Sequence, residues 1–407
     1  MVARRTAALW GLVLVLLTAV VTWGATTWAD GLPPLGPGAA SIPLPKAETD
    51  SLLQALSLIA QHALKPPDMA LVTRAALQAA VGSLGDPYSG YLAPTAYQAM
   101  RHAATGRYSG VGIEVAEQAQ GLVITRVLPD SPAAGTPYAG APTGAALGLA
   151  AGDRILAVDG RQVARMDLAG VRDAVQGAPG TLLQLEVERA GARLTFILRR
   201  REITVASVAS RMLSPGVGYI RIRLFNYGTP GQFASQLARL RAEGMRELVL
   251  DLRNNPGGLL SSVLGVARSV LPPGVVTSLQ PRNGPSHPYR LTRTHPLAMP
   301  FVVIINGQTA SAAELLAAAI QDDRLAPLVG ERTYGKGVVQ QIFPLADGGA
   351  LRLTVARYLS PAGRDINGVG VEPTETVAAH LTAAEFCNPA TDPQLAAALR
   401  LLRQAAA

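Results

Sequence analysis

The sequence is poor in the side chains that most metal and nucleic-acid sites use. It has one cysteine, Cys387, and five histidines that show no HExxH or HxH spacing. A disulfide within the chain and a cysteine-based zinc site are therefore excluded. Aromatic residues, which stack on nucleic-acid bases, make up only 5% of the chain. The longest run of basic residues, which would bind phosphates, is only Arg199–Arg201. Despite a net charge of +8, we expect no nucleic-acid partner, no metal and no organic cofactor.

Lysine is also scarce, with three lysines against thirty-three arginines. One of the three, Lys336, stands between two glycines in the segment Tyr334–Gly337. Arginine stays charged in proteins, whereas a buried lysine amine can lose its proton and act as a base. The position therefore suggests a catalytic base, although a surface lysine left by chance in an arginine-rich sequence would look the same.

The N-terminal residues 1–30 have the features of an export signal or a membrane anchor. Arg4 and Arg5 precede an apolar run, Thr6–Ala29, which is long enough to span a bilayer if it is not cleaved. Residues 31–45 are rich in proline and glycine and predict a tether. We expect the rest of the chain to be exported, secreted or held at the membrane on the periplasmic side, because positive charge stays inside.

The remaining chain divides into four regions by its hydrophobic pattern. Residues 46–105 have helical periodicity. Residues 106–200 contain short strand-like runs between glycine turns and one short helix, which predicts a small α+β module. Residues 201–380 contain continuous apolar runs followed by helices, which predicts an α/β core with buried strands. Residues 381–407 are expected to form a helical tail.

Ser311 follows one of the buried runs, Phe301–Ile305, and opens a predicted helix. Together with Glu314 it forms a Ser-x-x-Glu capping box, which is a purely structural explanation. A serine at a helix N-terminus can equally be a nucleophile, since N–H groups there stabilise negative charge and the N–H of Ala312 is a natural donor. Both interpretations remain open from these residues alone.

A nucleophilic serine needs a base, and the chain has no GxSxG motif and no histidine that is clearly placed for this role. Lys336 is the candidate, because a Ser-Lys pair needs no histidine. If Gly337–Phe343 is a strand, Gln340 lies on the same face as Lys336 and could orient the amine. Residues 330–336 also resemble a phosphate-binding loop, but Gly337 replaces the required Ser or Thr and a strand rather than a helix follows.

Two glycine-rich loops are candidate binding elements. Asp251–Gly258 ends a buried strand, and Gly257 and Gly258 could present backbone N–H groups to an anion; a plain strand-to-helix turn is the alternative. In the small module, a loop precedes a strand and could bind a chain-terminal carboxylate through its backbone N–H groups. Its residues are Gly110, Val111, Gly112 and Ile113.

In their order along the chain, these motifs resemble those of the C-terminal processing (tail-specific) peptidases, which are serine proteases with a Ser-Lys dyad and an embedded PDZ domain. The resemblance covers nearly everything from residue 50 to 377. The matching segments are Asp86–Ser89, Gly152–Gly160, Asp251–Gly258, Thr309–Glu314, Gly335–Gln340 and Gly368–Pro373. One departure is the Gly/Ala/Pro-rich stretch Thr136–Leu147 in the PDZ region, where such domains usually run straight on.

The resemblance implies a Clp/crotonase-like α/β protease core, an inserted α+β PDZ domain at 106–200 and an N-terminal helical segment. It implies an exported endopeptidase whose PDZ domain binds the C-terminal tail of protein substrates and gates access to the dyad. The implied roles are nucleophile for Ser311, general base for Lys336, orientation of the lysine for Gln340, and oxyanion donors for Ala312, Gly257 and Gly258.

Two other functions are consistent with parts of the pattern. A non-catalytic PDZ protein could recruit tails to a partner, but loss of Ser311 or Lys336 would mark that class and both are present. An acyl-CoA enzyme on a crotonase-like core would explain neither the PDZ region nor the N-terminal leader. The sequence leaves the oligomeric state open.

Overall fold

The computed structural model describes residues 20–21, 45–118, 121–143, 148–166, 168–379 and 387–405. Apart from the two-residue strand Val20–Val21 and Pro45, the predicted leader and tether therefore lie outside the described residues. None of the helices in the described ranges has the length and apolar character needed to cross a membrane.

The chain forms two compact units, one of residues 106–205 and one of the described residues on both sides of it. The larger unit is built on a six-stranded sheet. Its first two strands are antiparallel and the following neighbours are parallel. In order across the sheet, the strands are Val208–Ser214, Val217–Ile222, Glu247–Asp251, Phe301–Ile305, Leu328–Gly330 and Glu375–Thr376.

A second sheet in the larger unit is antiparallel apart from its contact with Val20–Val21. It runs Val20–Val21, Val338–Pro344, Ala350–Leu359, Gly274–Pro281 and His287–Leu291, and Gly90–Leu92 also pairs with Ala350–Leu359. The helices of this unit are Lys46–His62, Met69–Gly82, Pro94–Thr105, Thr229–Ala242, Leu260–Ala267, Ala312–Asp322 and Pro393–Ala405.

The hydrophobic core of the larger unit surrounds the helix Ala312–Asp322. Residues 312–320 of this helix are buried, and five of the eight positions from 312 to 319 are alanine. Small side chains let neighbouring elements approach the helix closely on every side. The core thereby fixes the helix, and with it the residue that precedes it, Ser311.

The smaller unit has a five-strand antiparallel path with a short extra strand, and a separate two-stranded ribbon. The path runs Ile113–Gln118, Gly121–Val127, Arg154–Val158, Leu182–Arg189 and Ala192–Arg199; Arg161–Gln162 pairs with Arg154–Val158, and Arg107–Gly110 pairs with Arg201–Thr204. Its helical segments are Pro132–Gly135, Val163–Arg165 and Leu168–Val175. The core of this unit includes Ile124, Leu185 and Phe196. Buried and less buried residues alternate along Leu182–Arg189, as expected for a half-buried strand.

The structure confirms an α/β core and a separate α+β unit, and differs from the sequence predictions mainly at element ends. The strand predicted at Gly337–Phe343 is Val338–Pro344, so Lys336 lies in the preceding loop. In the stretch Thr136–Leu147, residues 144–147 lie outside the described residues. Before them, Ala139 donates its N–H to the Thr195 carbonyl at 2.8 Å, so this part packs on the final strand of the sheet.

Candidate active site

Ser311 lies in the loop between the strand Phe301–Ile305 and the helix that begins at Ala312. It is completely buried, and its backbone has φ 55° and ψ −119°. A helix N-cap residue normally has extended backbone, and positive φ is uncommon for a residue with a side chain. The Ser311 Oγ has no hydrogen-bond partner in the described part of the chain. The hydroxyl of this N-cap serine is therefore available for chemistry.

The Glu314 half of the predicted capping box does form, because Ser311 donates its N–H to Glu314 Oε2 at 2.7 Å. The same oxygen accepts the N–H of Lys336 at 2.8 Å. The other oxygen, Oε1, accepts the N–H of Gly335 at 2.7 Å and the hydroxyl of Thr333 at 2.5 Å. One fully buried carboxylate thus holds the backbone of the serine and the backbone of the lysine.

The bridging role of Glu314 was missed by the sequence analysis, which assigned this residue only to helix capping. Burial raises its pKa, and the four hydrogen bonds that it accepts act in the opposite direction. Capping the helix would need only the hydrogen bond from the Ser311 N–H. The three further donors show that this buried carboxylate also holds a second segment of the chain. No local pattern could have indicated this, because the donors from the lysine loop lie 19 to 22 residues further along the chain.

Lys336 is 2% exposed. Burial lowers the pKa of its amine to about 7, assisted by the nearby positive charge of Arg352; Asp86 and Glu314 act in the opposite direction. Desolvation disfavours an ammonium, so a lysine in this place is uncharged in a large fraction of molecules at neutral pH. An uncharged buried lysine has little structural use. A general base, by contrast, must be able to lose its proton near neutral pH.

The glycines on both sides of Lys336 have separate steric reasons. Gly335 has φ +88°, a conformation that favours glycine. At Gly337 a Cβ would lie 2.4 Å from the N of Asn367. Asn367 also accepts the Gly337 N–H through its Oδ1 at 3.2 Å. The loop is therefore packed against the segment around Asn367, which fixes the backbone that carries the lysine.

The turn Asp86–Ser89 covers the lysine from the N-terminal side of the chain. The ring centre of Tyr88 lies 4.9 Å from the Lys336 Nζ. The turn is held by the strand Ala350–Leu359, because Arg352 donates its Nε–H to the Tyr88 carbonyl at 2.8 Å and Thr354 donates its N–H to the Ser89 Oγ at 3.0 Å. The turn is one of the segments that carry the family resemblance, but its contact with the lysine depends on tertiary structure and has no local sequence signal.

Gln340 is buried in the strand that follows the lysine loop. Its Nε2 donates to the Thr354 Oγ1 at 3.2 Å, and its Oε1 has no hydrogen-bond partner among the described residues. An unpartnered buried amide oxygen is costly and can accept a hydrogen bond from an approaching donor. The predicted bond from the Lys336 amine to Gln340 is not formed in this conformation, and the orienting role remains a prediction.

The loop Asp251–Gly258 lies against the serine. A Cβ at Gly257 would be 2.9 Å from the N of Ala312, so the three predicted oxyanion residues are neighbours. The Gly257 N–H donates to the Asn255 Oδ1 at 2.8 Å. Within the described ranges the N–H groups of Gly258 and Ala312 have no acceptor. In this conformation Gly258 and Ala312, rather than Gly257, have donors available for an oxyanion.

The predicted carboxylate-binding loop belongs to the smaller unit. The N–H groups of Val111 and Gly112 have no acceptor in the part of the chain that the structure describes. The loop leads into Ile113–Gln118, an outer strand of its sheet, which pairs on one side with Gly121–Val127. Its backbone is fixed by the Val111 carbonyl, which accepts the Ala133 N–H at 2.9 Å. Two free donors next to an open strand edge can receive an extended peptide that ends in a carboxylate.

Among its described residues, the larger unit therefore contains a buried hydroxyl without a partner, a buried amine with a lowered pKa and two backbone donors without acceptors. These groups fit the requirements of acyl transfer through a serine nucleophile. In the described ranges there is no group of three or more His, Cys, Asp or Glu side chains that could hold a metal ion.

Comparison with known proteins gives consistent matches over most of the chain. Residues 216–377 match Peptidase family S41, and residues 138–189 match the PDZ domain. The chain is 35% identical over 337 residues to a carboxyl-terminal-processing protease from Synechocystis sp., covering 81% of this chain and 77% of the relative. It is also 35% identical over 356 residues to a protease of the same name from Picosynechococcus sp., covering 85% and 83%.

The fold has a counterpart among solved structures. A Bacteroides fragilis protein assigned to the S41 proteases aligns with a TM-score of 0.55 at 18% identity, covering 89% of this chain and 98% of that one. At this level of identity the match concerns the arrangement of helices and strands.

Proposed function

This chain belongs to peptidase family S41, and on that premise we propose that it is a serine endopeptidase in which Ser311 and Lys336 form the catalytic dyad. The family membership establishes a serine protease with a PDZ domain. The assignment of the two residues is ours. It depends most on one observation, which is that a single oxygen of Glu314 accepts the backbone N–H of both Ser311 and Lys336.

In the proposed reaction, the uncharged Lys336 amine accepts the proton of the Ser311 hydroxyl as Oγ attacks the carbonyl carbon of the scissile peptide bond. The resulting ammonium then gives that proton to the leaving amine, and the C–N bond breaks to leave an acyl ester on Oγ. A water molecule attacks the ester, with Lys336 again taking the proton and returning it to Oγ. The lowered pKa of the lysine supports this role, because the base must be free of its proton at the working pH.

The negative oxygen of the tetrahedral intermediate would accept hydrogen bonds from the N–H groups of Ala312 and Gly258. Both lie near the start of a helix, where the partial positive charge of the backbone also stabilises an anion. Gly257 would contribute a third donor if its N–H left the Asn255 Oδ1 during the reaction. Gln340 would complete the site by accepting a hydrogen bond from the Lys336 ammonium through its free Oε1.

We also propose that the smaller unit selects substrates by their C-terminal tail. The free N–H groups of Val111 and Gly112 would hold the terminal carboxylate, and the strand Ile113–Gln118 would pair with the tail through backbone hydrogen bonds. The names of the two relatives, carboxyl-terminal-processing proteases, are consistent with this substrate class. The basic and apolar residues at positions 1–30 support an exported enzyme that acts outside the cytoplasm.

The dyad is tested by incubating the purified chain with an unfolded protein substrate and following new N-termini by mass spectrometry. The parent protein should cleave the substrate, whereas Ser311→Ala and Lys336→Ala should have no measurable turnover and the same circular dichroism. A fluorophosphonate should label the parent at Ser311. Turnover by either variant at the parent rate would refute the assignment, and an inactive, unlabelled parent would refute the peptidase function.

A further inference from the structure

A buried charge cluster lies next to the proposed site and is not used by the proposed chemistry. The guanidinium of Arg253 lies between two carboxylates, those of Asp251 and Asp392, and all three residues are buried. Its Nη2 is 2.6 Å from Asp251 Oδ2 and 2.9 Å from Asp392 Oδ2, and its Nη1 donates to Asp392 Oδ1 at 3.0 Å. Burial lowers the pKa of the guanidinium, but the two carboxylates outweigh this effect and raise it.

Asp392 belongs to the C-terminal segment, beyond the residues that match the peptidase family. Its carboxylate also accepts the N–H of Leu395 at 3.0 Å and the N–H of Cys387 at 3.1 Å. It therefore caps the helix Pro393–Ala405. The next polar residue of that helix, Gln394, accepts a further hydrogen bond from the Arg253 Nη1 at 3.1 Å. The C-terminal segment thus supplies three side-chain oxygens, from two residues, to one arginine.

Arg253 begins the loop that leads to the oxyanion glycines, and this loop is joined to the loop of the serine. Asn254 donates its N–H to the Asn306 Oδ1 at 3.0 Å, and Asn306 returns a hydrogen bond to the Asn254 Oδ1 at 2.7 Å. The Asn255 carbonyl accepts the N–H of Ala310, the residue before Ser311, at 2.9 Å. Movement of Arg253 would therefore be transmitted to both the oxyanion donors and the nucleophile.

We propose that Asp392 is a positioning residue for catalysis, which holds Arg253 and so keeps the loop 251–258 in register with Ser311. The inference rests on the proposed function. Simple stabilisation does not explain the choice of residues well, because apolar side chains of similar volume often stabilise a core as much as a buried ion pair does. An arginine with fixed hydrogen-bond directions on both sides, by contrast, fixes the position of the backbone that carries it. The C-terminal segment then completes the active site.

The test compares Asp392→Asn with the parent on a short peptide substrate, well below the melting temperature of both. We expect kcat to fall about 10- to 100-fold with an unchanged KM, because small displacements of catalytic groups slow the chemical step by factors of this size. Affinity for a peptide boronate, which adds to the serine and places an oxygen in the oxyanion site, should fall by a similar factor. Affinity for the corresponding product peptide should not change.

Asp322→Asn is the matched control. Asp322 forms an ion pair with Arg364 and accepts the Ala362 N–H at 2.9 Å. It ends the helix that Ser311 precedes, about 16 Å from the serine. This variant should lose stability while keeping kcat and boronate affinity.

If Asp392→Asn behaves like the control, or loses kcat and product affinity together, the positioning role is wrong. If Asp392→Asn does not fold, Gln394→Leu removes one acceptor of Arg253 and leaves both carboxylates. Gln394→Leu should lower kcat and boronate affinity by a smaller factor than Asp392→Asn. If this variant had the same kcat and boronate affinity as the parent, the positioning role would also be refuted. An inactive parent would instead refute the proposed function on which the inference rests.

Discussion

Gly257 has no space for a side chain on the side that faces Ser311. A Cβ on Gly257 would lie 2.8 Å from the Ser311 Cβ and equally close to the Ala310 carbonyl oxygen. Real Cβ atoms do not approach other atoms so closely, so the loop and the serine would have to move apart. The contact places the proposed oxyanion loop, residues 251–258, directly against the proposed nucleophile.

Gly257→Ala should therefore lower kcat by about 100-fold, the effect of displacing a catalytic group by about 1 Å. Gly244→Ala is the control, because Gly244 also has positive φ, at 88°, but has nothing within 4 Å of the added methyl. Gly244→Ala should cost about 1 kcal/mol of stability and no activity. Steady-state kinetics and urea unfolding of both variants make the comparison. Equal kinetics in the two variants would show that the contact with Ser311 has no catalytic effect.

The rate should depend on pH through Lys336. Since burial lowers the pKa of this amine to about 7, kcat/KM should rise with pH and reach half its maximum near pH 7. The measurement uses a peptide without titratable side chains between pH 5 and 9. Lys336→Arg should abolish turnover over the whole range, because arginine cannot accept the proton. A retained pH profile in Lys336→Arg would assign the titration to another group.

Because Glu314 holds the backbone of both Ser311 and Lys336, a conservative substitution of this residue should strongly reduce activity. Glu314→Gln keeps the shape but places an NH₂ group against N–H donors, leaving some of the four donors unsatisfied. We expect a loss of about 1–3 kcal/mol in stability and a fall in kcat of about 100-fold.

The control for this change is Glu372→Gln, which removes an exposed carboxylate that forms an ion pair with the exposed Arg332 at 3.7 Å. It should leave both quantities unchanged, because exposed ion pairs contribute little. A Glu314→Gln variant with the parent kcat would contradict the bridging role.

Local patterns were sufficient to predict the strand and the helix on the two sides of Ser311. Phe301–Ile305 is continuously apolar and buried, and it lies where it was predicted. The strand Ala350–Leu359 was not predicted, although Leu351, Leu353 and Val355 alternate with Arg352 and Thr354 as a half-buried strand requires. The alternation would still have given the wrong buried face, because Arg352 is more deeply buried than the leucines beside it and donates to the Tyr88 carbonyl.

The contacts that assemble the site could not be predicted from the sequence without the fold. Glu314 and Lys336 are 22 residues apart, and Arg253 and Asp392 are 139 apart. Such pairs form only because the topology of the fold brings distant segments together. A single sequence contains no signal that identifies these long-range pairs. Ser311 and Lys336 could be proposed because their chemistry is unusual for their local surroundings. The residues that hold them are ordinary acids and an arginine.

Recognition of a tail by the smaller unit can be measured without cleavage. In the Ser311→Ala background, a peptide with a free C-terminal carboxylate should bind at least about tenfold more tightly than its C-terminal amide, since charge-assisted hydrogen bonds to Val111 and Gly112 are lost. Acetylation of the N-terminus of the peptide is the control and should have no effect. Isothermal titration calorimetry gives both constants. Equal affinity for acid and amide would exclude these N–H groups as a carboxylate site.

The low pKa of Lys336 should also be visible in stability. The unfolded chain holds the lysine proton up to its ordinary pKa of 10.5, whereas the folded protein releases it near 7. The lysine therefore destabilises the fold fully below pH 7, and this penalty declines as pH rises from 7 to 10.5. Lys336→Met removes the penalty, so the variant should gain stability relative to the parent.

The gain from Lys336→Met should be larger at pH 6 than at pH 9 by about 2–3 kcal/mol. Urea unfolding followed by circular dichroism at the two pH values measures it. Lys46→Met is the control, because Lys46 is exposed and forms a surface pair with Asp50; its effect should not vary over this range. If the difference between parent and Lys336→Met were the same at both pH values, the folded protein would keep the amine charged. The lysine could then not serve as the base at neutral pH.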